Sequence, residues 1–163
     1  MPNFSEVLHY DPETGIFRWK IRRRGIKYHQ PAGAPHNMGY RQIMVDKQNY
    51  LAHRLAWFMY YGEWPLRLID HINGNKTDNR ISNLRLADHS QNAASRPLGK
   101  TNTSGIKGVS WNAAKRKWQA SISVNNRTIY LGRFDEIEDA AQAYKRAALS
   151  RQGEFAWPDR RLL

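Results

Sequence analysis

The chain has 163 residues, and its 26 Lys and Arg against 14 Asp and Glu give a formal net charge of +12. That length suits one ordinary domain or two small ones, and the charge favours a polyanionic partner, because every neutralised phosphate releases a counterion. With no cysteine, disulfides and cysteine-ligated zinc are excluded; no apolar run is long enough to span a bilayer, and the polar start does not read as a signal peptide, so a cytoplasmic location is expected.

In chain order, Asp11-Pro-Glu-Thr-Gly15 is a turn signal ahead of a short strand, Ile16–Lys20. Ile21–Asn37 is basic, carries Gly and Pro, and reads as a loop. Its Arg22-Arg23-Arg24 run is a candidate phosphate clamp with no power to read sequence. Tyr40–Asp46 alternates as a strand. Leu51–Tyr61 has helical periodicity, with Gly62 as its stop. Arg67–Ile72 reads as a strand, Asn73–Asn79 as a polar Asn-Gly loop and Ile81–Leu86 as the returning strand. Asp88, three residues before Gln91, begins a helix through about Ser95. A polar stretch over residues 96–103 reads as a linker, dividing the chain into domains 1–95 and 104–163. Beyond it, Gly105–Trp111, Lys117–Val124 and Thr128–Phe134 read as three strands, and Asp135 is placed to cap a helix from Ile137 to about Arg151. The fold class is therefore α+β, with a strand–loop–strand–helix unit followed by a three-stranded antiparallel sheet covered on one side by a helix.

The first half carries candidate chemistry. Hydrolysis of a phosphodiester needs a base to deprotonate water and a charge to stabilise the phosphate and leaving oxygen. Leu68-Ile-Asp-His-Ile-Asn-Gly-Asn75 offers both on neighbouring residues. On a strand, Asp70 and His71 point to opposite faces, one to grip a cation and one to activate water. Asn92 on the following helix offers an amide oxygen as a second ligand. Asn83 is placed to bond backbone across the loop and steady the His71 strand. Asp88 is better read as a helix cap than as a ligand. His89 is not assigned to metal, and His53 reads as a packing or hydrogen-bonding residue. Lys76, Arg80 and Arg85 are candidate phosphate contacts.

The runs Ala52-His-Arg-Leu-Ala-Trp57, Ile69-Asp-His-Ile-Asn-Gly74, Asp78-Asn-Arg80, Asn83-Leu-Arg85 and Gln91-Asn92 resemble the HNH endonucleases, in particular the phage and intron-encoded homing type. The resemblance implies a ββα-metal fold in which Asp70 and Asn92 bind Mg²⁺ or Mn²⁺. It makes His71 the general base and Asn83 the structural central asparagine. The implied products carry a 5′-phosphate and a 3′-hydroxyl.

In the second half, a sheet with one open face suits the major groove of double-stranded DNA, provided its outward side chains are basic, polar or aromatic. Lys115, Arg116 and Arg127 fit that description by residue type, as do Lys107 and Tyr130. The runs Ile106-Lys-Gly-Val-Ser110, Lys117-Trp-Gln-Ala-Ser-Ile122, Tyr130-Leu-Gly-Arg-Phe134, Asp139-Ala-Ala-Gln-Ala-Tyr144 and Gly153-Glu-Phe-Ala156 resemble the AP2/ERF DNA-binding domain. That resemblance puts Lys107, Tyr130 and Arg127 at DNA. Ser110, Ser121 and Ser123 stand where readers of GC-rich sites carry charged residues, which leaves the target sequence open. The function expected is a metal-dependent, site-preferring DNA endonuclease acting as a monomer, with rebinding or dimerisation as routes to a double-strand cut. The alternatives are a DNA-binding regulator on a non-catalytic HNH scaffold and an RNA-binding protein.

Overall fold

The computed structural model describes residues 2–22, 25–96, 98–99 and 101–156. By its contacts the chain forms two units, Met1–Ala87 and Asp88–Leu163. The division falls ahead of the polar stretch at 96–103, so the helix that begins at Asp88 groups with the second unit.

The first unit opens with a single helical turn, α1 (Phe4–Val7), and a hairpin of β1 (Leu8–Asp11) and β2 (Ile16–Trp19). Neither α1 nor β1 was expected. The turn between the strands is held by Asp11, whose Oδ1 accepts Glu13 N–H at 3.0 Å and whose Oδ2 accepts the Thr14 hydroxyl at 2.7 Å. Gly15 closes it at φ +71°, and a Cβ there would lie 2.4 Å from the Arg80 nitrogen. Only glycine lets this turn lie against the backbone of residues 79–80.

A three-stranded sheet follows, ordered β3 (Ala34–Pro35), β4 (Arg41–Val45), β5 (Gln48–Leu51). The expected helix start at Leu51 is corrected: Leu51 ends β5, and α2 runs Ala52–Tyr61. Asp46 and Lys47 make the intervening turn, both at positive φ (48° and 66°). Then come β6 (Leu68–His71) and β7 (Leu84–Ala87), antiparallel, with Asp70 opposite Arg85 and His71 opposite Leu84. The returning strand expected from Ile81 begins only at Leu84, because Ile81–Asn83 form a 3-10 turn. Leu8, Ile43, Val45 and Leu55 are fully buried and pack with Phe4, Phe17, Trp19, Ile69 and Leu84 as the core beneath β6 and β7. Burying several side chains of this size at about 1.5–3 kcal/mol each holds the hairpins and α2 as one body.

In the second unit, α3 (His89–Ala94) begins with the expected reciprocal cap: Asp88 Oδ1 accepts Gln91 N–H and Gln91 Oε1 accepts Asp88 N–H, both at 2.8 Å. The sheet is β8 (Val109–Asn112), β9 (Lys117–Val124) and β10 (Arg127–Phe134), antiparallel in the order β10-β9-β8. The long helix α4 (Ile137–Gln152) buries Ala140, Tyr144 and Ala148 against Val109, Ala120 and Ile122. At Gly108 (φ +71°) a Cβ would fall 2.3 Å from the Tyr144 ring, so this close approach also needs glycine. The expected cap of α4 is corrected as well: Glu136 stands at the cap with no side-chain bond, while Asp135 pairs with Lys117 at 3.0 Å.

Candidate active site and nucleic-acid interface

The β6–β7 ribbon and its loop hold most of the residues singled out in the first half. Asp70 is buried, and its Oδ2 accepts from both Nε and Nη2 of Arg85 at 2.8 Å. Arg85, expected at a phosphate, is thus turned onto the carboxylate across the ribbon. The cause is register: the two residues are direct cross-strand partners, close enough for a forked charge-assisted contact.

His71, one residue on, faces the other way and is also buried. Its Nε2 lies 3.4 Å from Asn79 Oδ1. Asn79 donates its amide hydrogen to Thr77 O, which leaves Oδ1 toward the ring. An amide oxygen only accepts, so this arrangement puts the imidazole proton on Nε2 and leaves the lone pair on Nδ1. Asn79 is held in turn by Tyr10, whose hydroxyl donates to Asn79 O at 2.7 Å. Burial lowers the pKa of His71 below the usual histidine value, against the opposing pull of Asn79 and Asp70, so the ring is neutral near pH 7.

Asn83 bridges the loop as its position suggested. Its Oδ1 accepts Asn73 N–H at 2.9 Å and its Nδ2 donates to Asp78 O at 2.8 Å. Asp78 adds a fork to Arg80, Nε to Oδ1 at 2.9 Å and Nη2 to Oδ2 at 2.6 Å. Arg80 draws the Asp78 carboxyl down to about 2. Arg80 is therefore tied into the loop while remaining half exposed. Lys76 donates to Met38 O at 3.0 Å and sits over the Tyr40 ring. The structure brings Asp70, His71 and Asn83 together in the first unit; Asn92 lies on α3, in the second. Asn79, Tyr10, Tyr40 and His53 were not assigned to the site from sequence. Asn79 does lie inside a matched motif, Asp78-Asn-Arg80, which was the available signal.

In the second unit, register decides which side chains face away from α4. Pairing sets Ser110 and Arg133 beside Gln119, Tyr130 beside Ser121, and Thr128 beside Ser123, on the side opposite Val109, Ala120 and Ile122. Trp111 pairs with Trp118 and so belongs to the α4 side. Arg133 was missed, because a bulge between Tyr130 and Gly132 shifts the alternation. Its guanidinium lies 5.8 Å from the centre of the exposed Tyr130 ring. Lys115, Arg116 and Arg127 are exposed at the strand turns, and Arg22 is exposed in the first unit. Arg23 and Arg24 lie outside the described residues.

Lys107 does not fit its expected place. Its ammonium donates to Ala94 O and Arg96 O at the end of α3, and burial with the nearby Arg96 draws its pKa down to about 8. Lysine at a helix C-terminus satisfies carbonyls that the helix leaves without partners. Replacing it, Lys107→Met, is expected to leave the salt dependence of DNA binding unchanged and to cost about 1–3 kcal/mol of stability. Salt titrations of affinity and thermal melts check this; a salt slope reduced by about one unit would restore Lys107 to the phosphate backbone.

The sequence profile described as HNH endonuclease matches residues 50–94, and the one described as AP2 domain matches residues 104–154. Protein 3.8 of Escherichia phage T7 is 34% identical over 88 residues, covering 54% of this chain and 72% of that protein. An uncharacterized HNH endonuclease of Acanthamoeba polyphaga mimivirus is 36% identical over 92 residues, covering 56% of this chain but only 46% of that protein. The chain belongs to the HNH endonuclease family and carries an AP2 domain in its C-terminal half.

Proposed function

We propose that the chain is a metal-dependent endonuclease that hydrolyses phosphodiester bonds of double-stranded DNA near a preferred site, inside the cell that holds that DNA. The observation that carries this reading is the pair Asp70 and His71 on adjacent positions of β6, with His71 held by Asn79.

The donors suit a hard cation. Asp70 on the first unit offers a carboxylate and Asn92 on the second an amide oxygen, both of the donor type a hard cation prefers. Asp70 would hold Mg²⁺ or Mn²⁺, which when bound supplies charge for the phosphate and the departing oxygen. His71 takes the proton of the attacking water at Nδ1 while Asn79 holds the proton on Nε2. Asn83 keeps the loop closed so that the base stays in place. On the second unit, Tyr130, Arg133, Lys115, Arg116 and Arg127 supply phosphate and base contacts, and Arg22 and Lys76 supply phosphate contacts on the first.

Supercoiled plasmid carrying candidate target DNA tests the reading. Nicking is expected with Mg²⁺ or Mn²⁺ and not with EDTA. Tight binding without nicking in either metal would leave a DNA-binding regulator built on an HNH scaffold.

A further inference from the structure

Lys76, Tyr40 and His53 form a row beside the base, and the last two have no part in hydrolysis so far. Lys76 Nζ stands 4.8 Å from the centre of the Tyr40 ring, and that ring lies 4.8 Å from the ring of His53. His53 then meets His71 edge to face, with ring centres 5.2 Å apart and planes at 80°. His53 is on α2, far from β6 in sequence, and is only 5% exposed. Among the described residues its Nδ1 has no hydrogen-bond partner. A buried polar atom without a partner is destabilising, and an apolar side chain would remove the cost. The fold therefore uses His53 as a flat ring and leaves its Nδ1 idle.

His71 needs such a ring. The last torsion of a histidine is broad, so without packing the ring plane can turn and carry Nε2 out of line with Asn79. The contact that opposes this turn is the bond to Asn79, and at 3.4 Å it is long and weak. Aromatic pairs favour edge-to-face packing, which resists rotation of either plane.

We propose that His53 is a positioning residue for His71: its ring, backed by Tyr40, fixes the plane of the base so that Nε2 stays on Asn79 and Nδ1 is the nitrogen offered to water. The proposal rests on the reading of His71 as the base.

Full-length wild type, His53→Leu and His53→Phe test it. Leucine fills the space without a flat ring, and phenylalanine keeps the ring without the idle nitrogen. The readouts are single-turnover nicking, DNA affinity, and long-range proton–nitrogen spectra of the imidazoles at a pH where histidines are neutral. Wild-type His71 should show one tautomer, protonated on Nε2. His53→Leu should give an averaged His71 pattern and a nicking rate at saturating DNA lower by roughly 10–100-fold, with affinity unchanged. His53→Phe should recover both the pattern and the rate, and melt at a higher temperature. A wild-type His71 pattern in His53→Leu, or a rate lost in both variants alike, would overturn the proposal. If wild type fails to nick, the base assignment falls, and the spectra still decide whether His53 orients the ring.

Discussion

His71→Ala is expected to lower the metal-supported nicking rate by roughly 10²–10⁴-fold, the range that a positioned general base contributes, while DNA affinity is retained. The separation follows from where the residue sits. His71 is buried and its side chain bonds Asn79, so it adds no cation to the phosphate-binding surface. The charges proposed to set affinity, Lys115, Arg116, Arg127 and Arg133, are on the other unit and exposed. Plasmid nicking under single-turnover conditions and a binding titration in the same buffer check both halves. A variant that nicks at the wild-type rate would remove His71 as the base. One that loses binding in step with nicking would point to a collapsed loop, which the Asn73–Asn83 and Asp78–Asn83 bonds should prevent, because neither involves His71.

What the sequence disclosed of this site, and what it did not, follows the range of the forces involved. Local signals survived. The Asp88–Gln91 cap, the period of α2 and the alternation of β9 are each set by residues within one or two turns of chain, and each is present. Asn83 was legible because its partners lie in the ten-residue loop that it closes. The β4–β5 hairpin was hidden because its turn uses Asp46-Lys47 at positive φ, where glycine or asparagine would be the signal. Lys107 and Arg133 show the limit of residue type as a guide. Both are basic, yet one is drawn to the carbonyls ending α3 and the other is turned outward by a bulge. Tyr10, Tyr40 and His53 reach the site from β1, from the β3–β4 connection and from α2. Only packing, which no local pattern reports, places them beside Asn79 and His71.

Arg85→Met should cost about 3–5 kcal/mol of stability in EDTA, the range expected when one partner of a buried ion pair is removed. The side chains of Arg85 and Asp70 are 14% and 8% exposed, so little water is available to replace the guanidinium on the carboxylate. Asp70→Asn with Arg85→Met should recover much of the loss, because the double variant no longer buries that charge. The same pair makes the metal assignment testable without any turnover. If Asp70 is a ligand, a cation competes with Arg85 for its oxygens. Mn²⁺ should then raise the melting temperature of Arg85→Met more than that of wild type, since a ligand at a hundredfold excess over its dissociation constant stabilises the protein that binds it by about 2.7 kcal/mol. Asp70→Asn should show no such response. Thermal melts with EDTA and with a series of Mn²⁺ concentrations measure all four proteins. Equal Mn²⁺ responses in Arg85→Met and Asp70→Asn would mean that the carboxylate serves only to hold Arg85, and the cation would have to be sought elsewhere.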